Sequence, residues 1–332
     1  MTSSTPTLRD VAAEAGVSPM TASNALRGKP GVKESTRAKV IAAAKKLNYR
    51  INLTASMLKS GRSNIIHVIV NEFDSPFYSK LTQALSNEIV SRGLIPFIEQ
   101  TQYSPDAAEH ALSSNPFSGQ LFDGEILHAT GLGTNVPLSK LNEEAERAAM
   151  QHLIDRGCRN IAIVGHRFAP RADLAHAQNA FALRLRGACG ALSDAGLPYD
   201  ESMVFEAGDV ANGIIAGHAI AERILAARSG HGGTEFDGAC CANDFAAFGV
   251  IRGLADRGLR VPQDVKVIGF DGVTSGSYTT PALSTIQVDF TQLAKFSVDM
   301  LSERIDHGAD EALPPRRAII GYQLVDREST AV

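Results

Sequence analysis

Four side chains near the start of the chain have the chemistry to read DNA and lie at helical spacing: Pro19, Met20, Ser23 and Asn24. A hydroxyl can hydrogen-bond to several base edges, and a carboxamide can pair with adenine through two hydrogen bonds. At 3.6 residues per turn, these side chains share the outer face of one short helix, near its N-terminal end. The pattern predicts a helix whose first turns enter the major groove of DNA.

Two short helices separated by a glycine turn are expected to position that face. Thr7 is the expected N-cap of the first helix, with Asp10 as its capping partner, and Gly16 is expected to form the turn after that helix. Ser18 is the expected N-cap of the second helix, with Pro19 at its first helical position. A third helix is predicted from about residue 35 to residue 47. The apolar positions expected to form the common core are Val11, Ala12, Ala15, Val17, Ala22, Ala25, Leu26, Val40, Ile41, Ala44 and Leu47.

Charge divides the chain into a basic head and an acidic body. Residues 1–62 hold eleven Lys and Arg against three acidic residues, a net charge of +8, whereas the whole chain carries −4. Residues 63–332 therefore carry −12, so only the head is suited to contact phosphate. A disordered basic tail is the alternative interpretation. The apolar residues at helical spacing favour a small packed domain.

The rest of the composition limits the class of protein. Residues 63–332 suffice for one large or two medium domains. No apolar run approaches the roughly 18 residues of a membrane span, and residues 1–6 do not resemble a signal peptide. The cysteines follow no metal-binding spacing, which predicts buried thiols in a cytoplasmic protein, with no metal site and no cofactor. They are Cys158, Cys189, Cys240 and Cys241.

Three motifs follow one another in the head: Val17-Ser18-x-x-Thr21-x-Ser23, Thr36-Arg37 and Leu47-Asn48-Tyr49-x-x-Asn52. Together they resemble the head of the lactose-repressor (LacI/GalR) family of bacterial transcription regulators. The match continues in Asn52-x-x-Ala55-x-x-Leu58-x-x-Gly61-Arg62, which resembles the hinge helix of that family. The resemblance implies that the hinge folds on DNA in a dimer and that Leu58 enters the minor groove, bending the duplex. Without the family, Leu58 is simply an apolar residue in a linker.

The resemblance implies a set of DNA-binding residues: Thr7, Ser18, Pro19, Met20, Thr21, Ser23, Asn24, Asn52, Ala55 and Leu58. One of them departs from the family pattern, since many members carry an arginine at the position of Asn24. Arginine suits guanine, whereas asparagine pairs with adenine. Asn24 is therefore expected either to shift the half-site preference or to contact only phosphate.

The body alternates apolar strands with helices, which predicts parallel, doubly wound sheets. Nearly the same unit occurs twice, so the sequence predicts an all-α helix-turn-helix head (1–50), a hinge helix (51–62), and an α/β body (63–332) of two subdomains. We expect the first subdomain to span about 63–157 and 288–315, and the second about 158–287 and 316–332. The strands predicted most clearly are Ile65–Val70, Leu94–Glu99, Glu125–Leu127, Ile161–Val164, Met203–Ala207, Gly238–Cys241, Val265–Phe270 and Ser284–Val288.

The body also resembles the effector-binding part of the same family, which is similar to periplasmic sugar-binding proteins. Matching positions occur in Asp74-Ser-Pro-Phe-Tyr78, Arg184-Leu-Arg-Gly187, Ala242-Asn243-Asp244 and Gly269-Phe-Asp271. The resemblance implies four effector-binding residues that face a cleft between the subdomains: Phe77, Arg184, Asn243 and Asp271.

Each of the four has a chemical role in that hypothesis and a structural alternative. Phe77 would stack on a sugar ring or base, or be a core residue at the start of a helix. Arg184 would donate to hydroxyls or a carboxylate, or be a surface charge. Asn243 would donate and accept hydrogen bonds, or cap a helix. Asp271 would accept from hydroxyls, or form a turn with Gly272.

The connection after Leu127 departs from the family pattern. Relatives place a helix, a strand and a loop between that strand and the helix at Glu143, and the segment here is too short to hold them. Either the deletion is genuine or the sequence has a gap. An uncompensated loss of a strand from a parallel sheet favours a gap.

These features predict a ligand-responsive regulator, most simply a repressor, that binds a palindromic operator as a homodimer or a higher oligomer. Its effector would be a sugar or a related small metabolite, and no membrane partner is expected. A solute-binding protein without a DNA role is the alternative, but it has no use for a basic head. No enzyme motif is present, and His67, His128 and His166 are interpreted as packing or surface residues.

Overall fold

The structure, a computed structural model, describes residues 6–28, 30–49, 61–102, 104–114, 121–128, 140–166, 170–176, 180–206, 213–230, 236–307, 314 and 320–332. The chain forms two compact units, Met1–Ser63 and Asn64–Val332. Within the described ranges, no helix is both long enough and apolar enough to cross a membrane.

The head contains three helices, α1 (Leu8–Ala15), α2 (Pro19–Leu26) and α3 (Glu34–Lys46). The two predicted N-caps are confirmed. The Thr7 hydroxyl accepts from the backbone N–H of Asp10, and the Asp10 carboxylate accepts from the backbone N–H of Thr7 at 2.7 Å. The Ser18 hydroxyl accepts from the backbone N–H of Thr21 at 3.1 Å. Gly16 ends α1 at φ +65°, a conformation that glycine adopts without strain.

Small side chains fill the core of the head, which allows the three helices to approach closely. Its fully buried members are Val11, Ala12, Ala22, Ala25, Val40, Ala43 and Ala44. The sequence prediction that placed Ile41 in this core is wrong, because that side chain is 51% exposed. Successive residues on a helix point about 100° apart, so burial of Val40 turns its neighbour toward solvent.

The first subdomain of the body is built on a three-stranded parallel sheet. Its strands are β1 (Ile65–Val70), β2 (Ile95–Gln100) and β3 (Gly124–Leu127), in the order β2-β1-β3. Two helices, α4 (Pro76–Ser91) and α11 (Phe290–His307), cover one face and pack on the alternate β1 residues Ile66, Val68 and Val70. Helix α5 (Pro105–Glu109) follows β2. Residues 129–139 lie outside the described ranges, so the short connection after Leu127 stays a prediction.

The second subdomain is built on a six-stranded sheet in the order β5-β4-β6-β7-β8-β9. The strands are β4 (Ile161–Val164), β5 (Val204–Phe205), β6 (Gly238–Cys241), β7 (Lys266–Asp271), β8 (Ser284–Val288) and β9 (Tyr322–Val325). The helices are α6 (Lys140–Asp155), α7 (Arg171–Leu174), α8 (Ala180–Asp194), α9 (Gly213–Gly230) and α10 (Asp244–Asp256). Strand β9 was not predicted, and it pairs antiparallel with β8, whereas the other pairs are parallel as expected.

Helix α6 corrects the predicted subdomain boundary. The sequence placed residues up to 157 in the first subdomain. Ala149, Met150 and Leu153 instead belong to the same buried cluster as Ile163 of β4 and Leu185 of α8. Helix α6 therefore belongs to the second subdomain, because its apolar face is buried against α8 and the second sheet.

Candidate functional site

The outward face of α2 carries the side chains predicted to read DNA. Met20 is 62% exposed, Pro19 is exposed, and Ser23 and Asn24 are half-buried. Thr7, Ser18 and Thr21 are also accessible, but their hydroxyls serve the caps, and those of Ser18 and Thr21 lie 2.9 Å apart. Asn52, Ala55 and Leu58 lie outside the described residues.

Arg37 is a positioning residue of the head whose role the sequence did not reveal. Its guanidinium is largely buried and donates to the backbone carbonyl of Ala25 at 2.8 Å, near the C-terminal end of α2. The same carbonyl accepts from the backbone N–H of Gly28 at 3.2 Å, and a cation near the last carbonyls of a helix is electrostatically favourable. The bond ties α3 to α2 and so fixes the direction of the outer face of α2.

In the body, the carboxyl ends of the parallel strands carry the candidate ligand site. On the side of the first subdomain, Phe77 begins α4 and makes edge contacts with three rings, those of Tyr78 (5.2 Å), His128 (5.5 Å) and Phe290 (5.2 Å between centroids). Nδ1 of His128 is buried without a hydrogen bond among the described residues. Burial lowers the pKa of His128 to about 4, so this imidazole is neutral at physiological pH.

On the side of the second subdomain, Arg184 is held in one orientation. Its guanidinium stacks on the ring of Phe270 at 3.5 Å. Its Nε donates to the side-chain oxygen of Asn142 at 2.9 Å, and its Nη1 donates to the carbonyl of Ala242 at 2.6 Å. Three contacts fix the planar fork, so the guanidinium of Arg184 is held in place and is not a free surface charge.

Asp271 ends β7 in a strained and desolvated position. Its φ is +111°, its residue is 8% exposed, and its side chain has no hydrogen bond to the part of the chain that the structure describes. Burial raises the pKa of Asp271 well above its usual 3.8, an effect that the nearby Arg184 partly opposes. A left-handed backbone conformation at a residue other than glycine costs free energy, and such strain concentrates at binding sites.

Asn243 and Asp244 organise the next strand end. The Asn243 side-chain oxygen accepts from the backbone N–H of Ala246 at 2.8 Å, so this residue caps α10, the structural alternative considered above. The cap occupies the oxygen and not the amide nitrogen. Asp244 is fully buried, accepts from the backbone N–H of Val273 and the hydroxyl of Thr285, and has its pKa raised to about 7 by burial.

One described hydrogen bond crosses between the subdomains beside this site. The Lys80 amine of α4 donates to the carbonyl of Gly272 at 2.9 Å, one residue after Asp271. An open groove of about 660 Å³ adjoins it, between α4 and strands β8 and β9, and its lining includes Asp289 and Tyr322. None of the four predicted effector residues lines this groove.

The structure thus brings Arg184 and Asp271 together, with Asn243 on the neighbouring strand end and Phe77 on the first subdomain. Sequence reasoning missed Asn142, Glu146 and His166 on the second subdomain's side. The sequence offered no signal for Glu146, because a glutamate within a charged helix ordinarily faces solvent. Among the described residues, no cluster of His, Cys, Asp and Glu could hold a metal ion.

Two family models match the chain. "Bacterial regulatory proteins, lacI family" matches residues 7–52, and "Periplasmic binding protein-like domain" matches residues 150–330. Among curated proteins, catabolite control protein A of Priestia megaterium is 28% identical over 90% of this chain and 92% of its own. The transcriptional repressor PurR of Yersinia pestis is 26% identical over 98% and 97%.

Solved structures agree with these matches. A LacI-family transcriptional regulator from Sanguibacter keddieii is 31% identical, covers 82% of this chain and 100% of its own, and superposes with a TM-score of 0.71. The regulator CelR in complex with cellobiose is 26% identical, covers 98% of this chain and 99% of its own, and has a TM-score of 0.66. The similarity therefore extends over both the head and the body.

Proposed function

Because the chain belongs to the LacI family of bacterial regulatory proteins, we propose that it is a ligand-responsive repressor that binds a palindromic operator as a homodimer in the cytoplasm. The observation that carries the proposal is the outer face of α2. Met20, Ser23 and Asn24 lie opposite the buried Ala22 and Ala25, on a helix with capped ends and a fixed direction. Two such heads related by a two-fold axis would read two half-sites of one operator.

The effector is a small hydroxyl-rich metabolite, similar to a sugar, in the cleft between the subdomains. The unpaired carboxylate of Asp271 supports this role, since it can accept from hydroxyls, and Arg184 presents donors beside it. Phe77 supplies an aromatic face, and Asn243 supplies an amide nitrogen. The complex of the relative CelR with cellobiose also supports a sugar-like ligand.

The effector acts by changing the angle between the subdomains. The bond from Lys80 to Gly272 crosses them next to Asp271, so a ligand that moves Asp271 also strains or releases this bond. The hinge around Asn52, Ala55 and Leu58 then folds or unfolds on the operator. Energetically, the effector shifts operator affinity only by its difference in affinity for the two subdomain arrangements.

Operator selection from random duplexes at about 150 mM salt tests the DNA-binding role, since non-specific contacts weaken at that ionic strength. We expect a two-fold symmetric sequence bound with nanomolar affinity. Asn24→Ala should relax the preference at one base pair of each half-site, by about 1–3 kcal/mol. Lys39→Ala, an exposed residue of α3, is the matched control and should weaken all sequences alike. Uniform loss in both variants would assign Asn24 to phosphate.

Thermal shift with a metabolite panel tests the effector role. The panel holds cellobiose and matched forms of one sugar: D-glucose, D-glucosamine, D-glucose 6-phosphate and D-gluconate. A ligand at 100 times its Kd should stabilise the folded body by about 2.7 kcal/mol. Arg184→Ala should abolish that shift while leaving the affinity of the unliganded protein for its operator unchanged. If Arg184→Ala retains the shift, the ligand binds elsewhere.

A further inference from the structure

A buried carboxylate–imidazole pair lies in the second subdomain, outside the set of residues assigned to the effector. Glu146 of α6 and His166, two residues beyond β4, are both 0% exposed. His166 Nε2 lies 3.2 Å from Glu146 Oε1, and the Cys240 thiol lies 3.4 Å from the same oxygen. The other two polar atoms, Glu146 Oε2 and His166 Nδ1, are buried and have no hydrogen-bond partner among the described residues.

Two unsatisfied buried atoms are costly. A buried polar atom without a partner costs about 1–3 kcal/mol, and more when the group is charged. Replacing Glu146 and His166 together by apolar side chains of similar shape would avoid that cost in the folded protein. The pair therefore calls for a reason other than stability of the unliganded body.

The pair is continuous with the wall of the cleft. Asn142, one turn before Glu146 on α6, holds the Nε of Arg184. Glu146 is close enough to Asp271 to add to the rise in the pKa of that residue. Like Asp271, His166 follows the carboxyl end of a strand. The ring of Phe181, 43% exposed, makes an edge contact with His166 at 6.2 Å. Among the described residues, Phe181 is thus an exposed aromatic side chain in contact with the imidazole.

The chemistry of the two atoms specifies what they bind. A carboxylate can only accept a hydrogen bond, and Glu146 Oε2 has no donor among the described residues. The carboxyl group of Asp271 lies close enough to Glu146 to interact with it. Together the two carboxyl groups present acceptors that need donors.

We propose that Glu146 and His166 form a second subsite of the effector cleft, which receives a hydrogen-bond donor group of an unphosphorylated, non-acidic ligand. The inference rests on the proposed effector role and narrows its ligand class. The donor is a sugar hydroxyl or a protonated amine, and movement of the Phe181 ring admits it. A phosphate or carboxylate placed here would face two carboxylates, which is unfavourable in a site of low dielectric constant.

The test measures ligand affinity for Glu146→Gln and His166→Gln by calorimetry, with the panel compound that stabilises the unaltered protein. Each substitution should raise the Kd at least about tenfold. Glu144→Gln, exposed on the same helix, and His176→Gln, exposed after α7, are the matched controls and should leave the Kd unchanged. The operator affinity without ligand should stay within error of the unaltered protein.

Among the panel compounds, cellobiose and D-glucose offer hydroxyl donors, and D-glucosamine also offers an amine donor. The compound that binds most tightly therefore shows whether the subsite receives a hydroxyl or an amine. Two outcomes overturn the subsite alone: an unchanged Kd in both variants, or preferential binding of D-glucose 6-phosphate or D-gluconate. Variants that melt earlier without ligand and keep the Kd would show a purely structural pair. If no compound binds while the operator is still recognised, the effector role fails and the subsite with it.

Discussion

Replacing Asp271 with glycine should stabilise the unliganded body and abolish its response to the effector. The φ of +111° is a conformation that L residues rarely adopt, and such strain costs about 1–3 kcal/mol. Glycine removes the strain but gives up about 0.4–1 kcal/mol through the freedom of the unfolded chain. The net gain is about 1–2 kcal/mol, or about 2–4 °C in Tm for a unit of this size. Removal of a carboxyl group whose ionised form is disfavoured by burial adds to this gain at neutral pH.

Asp271→Asn separates the charge from the strain, because it keeps the backbone conformation nearly unchanged. Burial raises the pKa of Asp271 well above 3.8, so the unfolded chain releases this proton at a lower pH than the folded protein. Below pH 3.8 both states are protonated, and the group has no effect on stability. As the pH rises toward the folded pKa, ionisation increasingly favours unfolding. The advantage of Asn over Asp should therefore grow from about pH 4 upward and level off above the folded pKa.

Urea unfolding of the three proteins between pH 4 and pH 8, with ligand titration at pH 7, measures both effects. The reasoning predicts that both variants unfold at higher urea concentration than the unaltered protein at pH 7 and bind the effector at least about tenfold more weakly. A variant that is less stable than the unaltered protein and still binds the effector normally would refute it. That result would make Asp271 a structural turn residue.

Four further substitutions test separate parts of the structure. Arg184→Lys should cost about 1–3 kcal/mol in urea unfolding, since lysine cannot stack on Phe270 while bonding to Asn142 and Ala242; no loss would contradict the fixed orientation. Gly272→Ala should lower the free energy of unfolding by about 2–4 kcal/mol, because the φ of Gly272 is +69° and a Cβ would lie 2.6 Å from Gln287. Gly276→Ala is the control and should be nearly neutral in the same urea unfolding, since the nearest atom to its Cβ would lie at 3.4 Å. Gly16→Ala should destabilise the head by about 1 kcal/mol through its positive φ and weaken operator binding, as measured by anisotropy. Leu58→Ala should weaken binding to the operator more than to a scrambled duplex; equal losses would reject a minor-groove role.

Much of this fold could be predicted from local patterns. Hydrophobic runs bounded by turn residues marked Ile65–Val70, Ile161–Val164 and Gly238–Cys241 with the bounds that the structure shows. Strand β9 escaped prediction because it is short and half-buried, and its pairing with β8 depends on a chain return of more than thirty residues. The subdomain to which α6 belongs was predicted wrongly, because the sequence of an amphipathic helix does not show which sheet the helix covers.

The candidate site divides in the same way. Arg184 and Asp271 could be identified from the sequence because they lie in short motifs near the start of a helix and at the end of a strand. Glu146 could not be predicted, since a glutamate within a charged helix ordinarily faces solvent. Only packing of α6 against the second sheet buries it beside His166. A burial pattern set by distant segments therefore decides which of several acidic residues on α6 is buried beside His166.

The most direct test of the central claim is one anisotropy titration of the full chain onto its selected operator at about 150 mM salt, with and without the effector. The proposal predicts a nanomolar complex of two chains per duplex, at least about tenfold weaker for a scrambled duplex, and an affinity that the effector changes by at least about fivefold. Equal micromolar binding to both duplexes, unaffected by any compound that stabilises the body, would contradict it.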